Sequence, residues 1–401
     1  MDYIYFILHI IEYTIFIYLG LSAIYILIFA FAGKLMSGKK SKNIKPVKLR
    51  KYAVLIPGYK EDNVICEVAI ESLKQDYPTD CFDIVIIADS FQPETIEKLK
   101  LLPIKLIEVV FEKSTKSKAL NKAMEVLGDK YDVALVLDAD NIMETGFISK
   151  INKAFDDGFQ IVQGHRIAKN TNTSFAILDA ISEELNNHIF RKGHRALGLS
   201  SALIGSGMAF DYSLFKKRML EINAVGGFDK ELELTFLRDK KKIEYIEDAL
   251  VYDEKVQKVE VFENQRKRWL SAQFVYFGRF FFSGLYHLLF KRNIDFFDKV
   301  IQMISPPRIL LIGITGILAL IISLVQIFTP TTDFFSIPYS YWIIVFIIVV
   351  LAFILSIPAK FYNRETLNAL LTLPKAFTSM FLSLFKLKGA NKKFIHTQHG
   401  T

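Results

Sequence analysis

The sequence predicts an α/β protein with a mainly parallel sheet, flanked by helices that cross or lie on a membrane. From residue 51 to about residue 137, short apolar runs alternate with amphipathic segments, a pattern typical of a parallel sheet with helices on both faces. Hydrophobic residues make up 51% of the 401-residue chain, and its mean hydropathy is positive at +0.27. Ordinary soluble domains are seldom this apolar. We therefore expect membrane segments beside one or two domains.

Three apolar runs are long enough to cross a bilayer, which takes about 20 residues of helix. The first extends from Tyr3 to Ala32 and is interrupted only by His9 and Glu12. It is too long for the apolar region of a cleaved signal peptide and lacks a charged start, so we expect a retained helix. The other two runs are Ile309 to Phe328 and Tyr341 to Ile357.

Basic residues predict the orientation, because Lys and Arg stay on the cytoplasmic side of a membrane. Residues 34–51 contain eight Lys or Arg and no acid, whereas the link from Thr329 to Ser340 contains Asp333 and no Lys or Arg. The tail beyond residue 385 is basic again. These charges predict three spans in the plasma (inner) membrane, with the N-terminus outside and the middle of the chain in the cytosol. The net charge of +8 then favours anionic lipid, and no nucleic-acid partner is needed.

The two cysteines, Cys66 and Cys81, both lie in the predicted cytosolic region. Their spacing matches no zinc or redox motif, so we expect reduced structural thiols.

Periodicity assigns the elements of the middle region. The predicted strands are 52–57, 82–88, 104–111 and 133–137, and the predicted helices are 64–74 and 116–127. Ligands of such sheets bind at the carboxyl ends of the strands. Functional side chains should therefore follow the strands directly.

Polar residues do follow the strands. Pro57 to Asp62 follow the first, Asp89 and Ser90 the second, and Asp138-Ala139-Asp140 the strand that ends at Leu137. Each group is also a common turn or helix cap. Two carboxylates one residue apart offer the oxygen ligands that Mg²⁺ or Mn²⁺ prefers, so a metal site is the functional alternative.

Lys116 and Lys118 occupy the predicted start of a helix, where the helix dipole disfavours positive charge. A phosphate ligand would remove this conflict, because the helix start and a lysine would both face the anion. Solvated surface lysines are the alternative.

A Q-x-x-R-W pentapeptide, Gln265 to Trp269, precedes the hydrophobic C-terminal third. Its tryptophan can stack on a pyranose, while Arg268 and Gln265 supply donors to hydroxyls or phosphate. An interfacial anchor is the alternative, since Trp and Arg both favour the headgroup region.

Taken together and in this order, these motifs resemble the inverting family 2 glycosyltransferases, especially processive cellulose, chitin and hyaluronan synthases. The resemblance covers about residues 52–269 and implies a Rossmann-like, nucleotide-sugar-binding glycosyltransferase A fold with flanking transmembrane and interfacial helices. It also implies a UDP-sugar donor, Mg²⁺ or Mn²⁺ as cofactor, a glycan or lipid-linked acceptor and a lipid bilayer as partners.

The resemblance assigns roles to individual residues. It places the donor site on Pro57, Tyr59, Glu61, Asp89, Lys116, Asp138 and Asp140, of which Asp138 and Asp140 hold the metal. Gln163 to Arg166, with Lys169 and Asn170, resemble the strand that follows the metal site. The acceptor and diphosphate contacts fall on Gly205, Ser206, Gly207, Gln265, Arg268 and Trp269. Gly205 and Gly207 also fit an ordinary turn between strands.

One segment departs from the family. Where relatives carry a T-E-D or E-D-x-E-L sequence with a catalytic aspartate, this chain has Asp229-Lys-Glu-Leu-Glu233. Glu231 takes the aspartate position and is the predicted base. Its extra methylene displaces the carboxylate, and misplacement of order 1 Å costs about 10²-fold when uncompensated. Glu233 and Asp229 remain alternative bases, and exposed charges on a short helix are the structural alternative.

The domain prediction follows from these assignments. It comprises a transmembrane helix (1–33), a basic linker (34–50), the glycosyltransferase domain (51–269), interfacial helices (270–306), two transmembrane helices (307–360) and an amphipathic segment with a basic tail (361–401). The predicted activity is inverting, metal-dependent hexosyl transfer that builds a β-linked polysaccharide. Non-processive transfer to a lipid or lipid-linked acceptor and an inactive membrane scaffold are the alternatives. Three spans are few for a polymer pore, so partner subunits or a homo-oligomer are expected for a long product.

Overall fold

The computed structural model describes residues 2–36, 47–222, 226–255, 259–329 and 334–384. Most of the predicted basic linker, Asp333 and the basic tail beyond residue 385 lie outside these residues. The chain forms two compact units. Unit 1 comprises the described parts of 1–37, 173–197 and 305–385, and unit 2 comprises those of 38–172 and 198–304.

Unit 2 contains one eight-stranded sheet in the order β3-β2-β1-β4-β7-β6-β8-β5. The strands are β1 (Tyr52–Tyr59), β2 (Phe82–Asp89), β3 (Lys105–Val109), β4 (Val133–Val136), β5 (Ile142–Met143), β6 (Ile161–Ala168), β7 (Met208–Asp211) and β8 (Glu244–Asp253). The first four strands pair in parallel. β7 runs antiparallel to both β4 and β6, and β5 runs antiparallel to β8, so the sheet is mixed rather than mainly parallel.

The helices of unit 2 cover both faces of this sheet. They are α2 (Ile65–Ser72), α3 (Pro93–Lys100), α4 (Lys116–Leu127), α5 (Phe147–Asp156), α8 (Tyr212–Met219), α9 (Phe228–Arg238), α10 (Val259–Lys291) and α11 (Ile294–Gln302). Alternate residues of β1 enter two separate apolar clusters, one containing Leu55 and the other Ile56, because successive side chains of a strand point to opposite faces.

The 33-residue helix α10, which begins before the predicted interfacial region, contributes to the core of unit 2. Its Ala272, Tyr276 and Phe280 are buried in the same apolar cluster as α4, α8 and α9, together with Phe296 and Val300 of α11. The predicted boundary at residue 269 falls inside this helix. Its side chains continue the core of unit 2 beyond that boundary.

Unit 1 contains the other helices. They are α1 (Asp2–Leu35), α6 (Ser174–Asn186), α7 (His194–Ala196), α12 (Arg308–Phe328), α13 (Tyr339–Ser356), α14 (Arg364–Leu370) and α15 (Leu373–Leu384). Among the described residues, three helices are long and apolar enough to cross a membrane, at Tyr3–Leu35, Arg308–Phe328 and Tyr339–Ser356. They match the three predicted spans closely and are compatible with a membrane protein.

Residues 173–197 belong to unit 1 although they separate β6 from β7 in the sequence. A π-helical turn, Asn187–Gly193, joins α6 to α7 and packs against α1. A Cβ on Gly193 would lie 2.2 Å from the Phe29 carbonyl oxygen, so only glycine permits this approach. The His188 Nε2 lies 2.9 Å from the Ala30 carbonyl oxygen.

The other end of α1 contacts the chain before α13. The carboxylate of Glu12 accepts hydrogen bonds from the backbone amides of Ser336 (2.8 Å) and Ile337 (3.2 Å). The Ser336 hydroxyl also donates to it (3.0 Å). Within unit 1, therefore, the N-terminal half of α1 lies beside the chain between α12 and α13, while its C-terminal half lies beside 188–193.

Candidate active site

The turns after β1 and β2 lie side by side. Tyr59 at the end of β1 is opposite Asp89 at the end of β2. Immediately afterwards, Lys60 and Ser90 adopt left-handed φ angles of 54° and 60°, which are uncommon for residues with a side chain. The Lys60 amide donates to the Asp89 carbonyl oxygen at 3.1 Å. This bond holds the two strained turns together.

Gly58 lets the end of β1 approach the loop after β4. A Cβ at this position would lie 2.7 Å from Phe91 Cζ and 3.5 Å from the Cβ of Ala139. Ala139 is the residue between the two predicted metal ligands. A larger residue here would displace the Phe91 ring, so glycine lets the turns after β1, β2 and β4 meet closely.

The residues predicted to contact the nucleotide lie along this edge. Pro57 and Tyr59 belong to β1 itself, and the Lys60 Nζ lies 5.4 Å from the centre of the Tyr59 ring. Glu61 and Asp89 are almost fully buried. Asp89 accepts a hydrogen bond from the Ser90 hydroxyl at 3.0 Å.

Lys116 joins the loop after β4 to the chain before β7. Its Nζ lies 2.5 Å from Asp138 Oδ1 and donates to the Gly205 carbonyl oxygen at 2.7 Å. Lys116 opens α4, directly after the N-cap Thr115. Lys118 donates instead to the Lys113 carbonyl oxygen. The structure thus brings the predicted donor lysine, the first predicted metal ligand and the predicted acceptor segment into direct contact.

Asn141 is the fully buried centre of this region. Its Nδ2 donates to Asp140 Oδ1 at 3.2 Å and to Asp253 Oδ1 at 3.0 Å. Its Oδ1 accepts a short hydrogen bond from the Ser206 hydroxyl, and the Ser206 Oγ accepts from the Asp138 amide at 3.0 Å. One amide side chain therefore orients Asp140 and anchors Ser206.

Two cations balance Asp253, the last residue of β8. Lys255 Nζ lies 2.6 Å from Asp253 Oδ2, and Arg166 Nε lies 3.8 Å from the same atom. Burial raises the pKa of Asp253, but Arg166 and Lys255 outweigh that effect and lower the pKa overall. The carboxyl is therefore charged at neutral pH, and it shares the Asn141 amide nitrogen with Asp140.

Gln163 fixes the shape of the predicted acceptor segment. Gly205 and Gly207 adopt left-handed φ angles of 83° and 62°, which glycine reaches without steric cost. The buried Gln163 amide nitrogen donates to the carbonyl oxygens of Ser206 (3.0 Å) and Gly207 (3.2 Å). Its oxygen accepts from the Ile204 amide at 3.2 Å.

The three acids of α9 have different surroundings. Glu231, the predicted base, is 2% exposed and lies 2.5 Å from Arg279 Nη1 of α10. Glu233 is fully buried beside Lys230 (3.0 Å) and Lys299 (3.4 Å). Asp229 is partly exposed and faces Gly205, where a Cβ would lie 3.9 Å from Asp229 Cγ.

The pentapeptide lies within α10. Trp269 is 41% exposed, and Arg266 Cζ lies 4.6 Å from the centre of its ring. Arg266 itself is buried. Burial lowers the pKa of Arg268, and Gln265 is half-buried. One face of the tryptophan ring is thus already in contact with a cation, Arg266.

Sequence reasoning did not assign Asn141, Asp253 or Lys255 to the site. Asn141 follows the D-x-D motif directly and Asp253 ends a strand, so both positions carry a recognisable signal. Asp253 was harder to find, because β8 reaches Asp140 only through the mixed strand order. Among the residues that the structure describes, no three His, Cys, Asp or Glu side chains lie close enough together to hold a metal ion.

Comparisons with known proteins place the chain in a family. Residues 50–272 match a family model described as glycosyltransferase like family 2. No protein of curated function shows significant sequence similarity to the chain.

Solved structures with similar folds have low sequence identity. TarS of S. aureus has 16% identity over 54% of this chain, with a TM-score of 0.37, and the match spans 38% of the TarS chain. The mannosyltransferase PcManGT from Pyrobaculum calidifontis, in complex with GDP-Man and Mn²⁺, has 15% identity over 84% of this chain and 98% of its own, with a TM-score of 0.46. Glucosyl-3-phosphoglycerate synthase from Mycobacterium tuberculosis has 15% identity over 53% of this chain and 75% of its own, with a TM-score of 0.37.

The curled mixed sheet, with acids at its strand ends, defines an α/β transferase with a glycosyltransferase A-like fold. Since the matched residues 50–272 are more than half of the chain, the protein belongs to the glycosyltransferase-like family 2. The predicted fold class is confirmed, as is the predicted resemblance at the level of this family. The narrower resemblance to processive synthases stays a prediction.

Proposed function

We propose that this protein is a membrane glycosyltransferase that moves a sugar from a nucleotide-diphosphate donor, UDP-linked, to a growing glycan with inversion at the anomeric carbon. One observation carries the proposal. The carboxylates of Asp138 and Asp140, the Lys116 ammonium and the Ser206 segment are joined by direct hydrogen bonds and by Asn141. A donor-binding edge and an acceptor segment thus form one connected site in unit 2.

The carboxylates of this site suit a divalent cation whose remaining ligands come from the bound substrate. Asp138 and Asp140 offer carboxylate oxygens, the ligands of Mg²⁺ and Mn²⁺. Mg²⁺ is commonly bound by one or two carboxylates together with substrate phosphates, which agrees with the lack of a third acidic ligand among the described residues. We assign Asp140, oriented by Asn141, and Asp138 to this cation. When bound, the cation stabilises negative charge on the leaving diphosphate.

The chain's own residues account for binding and orientation. Pro57, Tyr59, Glu61 and Asp89 surround the base and ribose of the donor. Lys116 is placed to move between Asp138 and a phosphate, because an ammonium on a flexible stem follows the nearest anion. Arg268 adds positive charge, and Trp269 offers an exposed aromatic surface to the acceptor sugar.

The charge of the segment that follows α1 supports a cytosolic active site. Glu12 and the chain before α13 lie together at one end of the three apolar helices, while residues 188–193 lie at the other. The basic residues after α1 assign this second end to the cytosol. The protein is then an integral protein of the plasma (inner) membrane, with lipid bilayer as its partner.

Two products are compatible with this site. A processive enzyme builds a β-linked polysaccharide and, with three candidate spans in the described residues, needs partner subunits or a homo-oligomer to enclose a long chain. A non-processive enzyme adds one sugar to a lipid or lipid-linked acceptor. The three spans favour keeping this second activity as a candidate.

A donor panel tests the function. Membranes containing the full-length protein would be supplied with different UDP-sugars and Mg²⁺ or Mn²⁺, and both UDP release and product mass would be measured. A ladder of product masses or a high-mass product supports the processive enzyme, and addition of one sugar supports the non-processive enzyme. The absence of turnover with every donor, Mg²⁺ and Mn²⁺ alike, would favour an inactive scaffold.

The matched variants are Asp140→Asn and Asp157→Asn. Asp157 is exposed on the surface of unit 2, so its variant should retain wild-type turnover. Asp140→Asn should abolish turnover. Near-normal activity of Asp140→Asn would contradict the metal assignment.

A further inference from the structure

We propose that Asp229 is the catalytic base that deprotonates the acceptor hydroxyl, and that Glu231 is a structural residue that ties α9 to α10. The proposal rests on the proposed function and concerns the acceptor half of the same site. It reverses the assignment that the sequence motif favours.

Helix geometry separates the three acids of α9. Each residue turns an α-helix by about 100°, so residues two apart point to nearly opposite sides, whereas residues four apart share a face. Asp229 and Glu233 therefore lie on one side of α9 and Glu231 on the other. Glu231 is therefore turned away from the side of α9 that Asp229 occupies.

The contacts of Glu231 agree with this separation. Its Oε1 lies 2.5 Å from Arg279 Nη1, and its Oε2 lies 3.5 Å from the Tyr276 hydroxyl. Burial and then the Glu231 carboxylate raise the pKa of Tyr276, which keeps that phenol neutral. Both carboxylate oxygens of Glu231 are therefore engaged by side chains of α10. Its contacts join two helices of the unit 2 core.

Glu233 shares a face with Asp229 but is enclosed. Its side chain is fully buried, with Lys299, also fully buried, at 3.4 Å and Lys230 at 3.0 Å. An acceptor hydroxyl cannot reach a carboxylate that has no accessible surface. Glu233 is therefore better suited to holding Lys230, which in turn donates to the Leu203 carbonyl oxygen at 2.8 Å.

Asp229 faces the segment that joins donor and acceptor. A Cβ added at Gly205 would lie 3.9 Å from Asp229 Cγ and 4.0 Å from Oδ2. The Gly205 carbonyl oxygen accepts from Lys116 (2.7 Å), which also pairs with Asp138 (2.5 Å). Asp229 thus lies beside Gly205, whose carbonyl oxygen binds the predicted donor-site lysine. Asp229 is also partly exposed.

The charges around Asp229 suit a base. Burial raises its pKa and Glu233 raises it further, while Lys230 and Lys116 lower it, with a net increase. A general base works best when its pKa approaches the working pH. Glu233 and Lys230 lie on α9 with Asp229, and Lys116 lies on α4. Asp229 in turn raises the pKa of Tyr276 on α10.

The proposed step balances as a single displacement. The acceptor hydroxyl oxygen bonds to the anomeric carbon while the bond from that carbon to the diphosphate oxygen breaks. The hydroxyl proton passes to the Asp229 carboxylate, and the nucleoside diphosphate leaves with the electron pair. Asp229 then releases the proton to solvent.

Asp229→Asn and Glu231→Gln are the matched pair for the test, both made in the full-length protein. Nucleotide binding by purified protein, thermal unfolding and sugar transfer in membranes are measured for each. We expect Asp229→Asn to lower kcat by about 10²–10⁴-fold, the usual contribution of a general base, with unchanged UDP affinity. Glu231→Gln should retain transfer within about tenfold and lower the unfolding temperature. Asp229→Glu, which keeps a carboxylate, should recover part of the lost rate.

Arg279→Gln gives a second readout that does not depend on the folding of an Asp229 variant. If Asp229 is the base, loss of Arg279 leaves the acidic limb of the kcat–pH profile in place. A shift of that limb to higher pH, or full activity of Asp229→Asn beside inactive and folded Glu231→Gln, would overturn the assignment. Wild-type protein that binds no nucleotide and transfers no sugar would instead overturn the proposed function itself.

Discussion

Lys299 and Glu233 are both completely buried, and the Lys299 Nζ lies 3.4 Å from Glu233 Oε1. The pair connects α11 to α9, whose first turn carries Asp229. Lys230 pairs with the other oxygen of Glu233 and with the Leu203 carbonyl oxygen. A line of charged side chains thus runs from α11 to the chain that leads into the predicted acceptor segment.

Loss of Lys299 should destabilise unit 2. Lys299→Met leaves a buried carboxylate with one remaining partner, and breaking such pairs costs about 3–5 kcal/mol. Thermal unfolding of the purified protein measures the effect. Lys74→Met is the control, because Lys74 and Glu71 form an exposed pair and such pairs contribute little. The double variant Lys299→Met with Glu233→Met should recover much of the loss, since no uncompensated charge remains. An unfolding temperature unchanged in the single variant would contradict this account.

Asn141 should control the donor site, because its side chain orients Asp140 directly. Asn141→Ala removes the side-chain amide that donates a hydrogen bond to Asp140 and accepts one from the Ser206 hydroxyl. Misplacement of a reacting group by about 1 Å costs about 10²-fold. We expect a loss of that size in kcat/KM for the donor. Ser206→Ala removes only one of the connections and should lose less. Equal losses in the two variants would show that Asp140 does not depend on Asn141.

The rate should depend on pH through Asp229. A base is active only when ionised, so activity is lost as the pH falls through its pKa, which burial and Glu233 raise and which Lys230 and Lys116 lower. Lys230→Met removes a cation, raises the pKa of Asp229 further and should move the acidic limb to higher pH. Lys100→Met is the control, because Lys100 lies on α3, far from Asp229 in the sequence, and is exposed. Superimposable kcat–pH profiles of Lys230→Met and wild type would exclude this coupling.

Gly193 and Gly278 offer a matched pair of helical glycines. Gly193→Ala would place its Cβ 2.2 Å from the Phe29 carbonyl oxygen, whereas a Cβ on Gly278 has nothing within 4 Å. Small residues allow close approach of helix backbones in membranes. Gly193→Ala should therefore lower the yield of folded protein sharply. Gly278→Ala should be neutral or stabilising by up to about 1 kcal/mol, since alanine is the better helix former. Equal yields and equal unfolding temperatures would contradict the packing of 187–193 on α1.

Much of the fold was readable from the sequence. The helix predicted over 116–127 matches α4 to the residue, and the strands predicted at 52–57 and 82–88 match β1 and β2 apart from their last residues. Continuous apolar runs give these assignments, because both faces of the strands are buried. The direction of β7 is not predictable from its sequence, since three apolar residues followed by an aspartate look alike in parallel and antiparallel pairing.

The site was predictable in its residue types but not in its connections. Asp138 and Lys116 are both expected at the donor site. Their direct contact depends on where the folded sheet places the Gly205 turn, which the sequence alone does not specify. Glu231 was chosen by position in a motif, although helical periodicity alone places it opposite Asp229. The membership of 173–197 in unit 1 was also hidden, because an amphipathic helix shows the same pattern whichever surface covers it.

Residues 173–197 also bear on how the protein can be studied in pieces. Removing both termini to obtain a soluble catalytic fragment would retain α6 and α7 while deleting α1, α12 and α13, the helices of their own unit. The fragment would expose Gly193 and its neighbours, a surface that would promote aggregation. Its low yield would then say nothing about the active site. A deletion that also replaces 173–197 with a short linker follows the unit boundary that the structure draws.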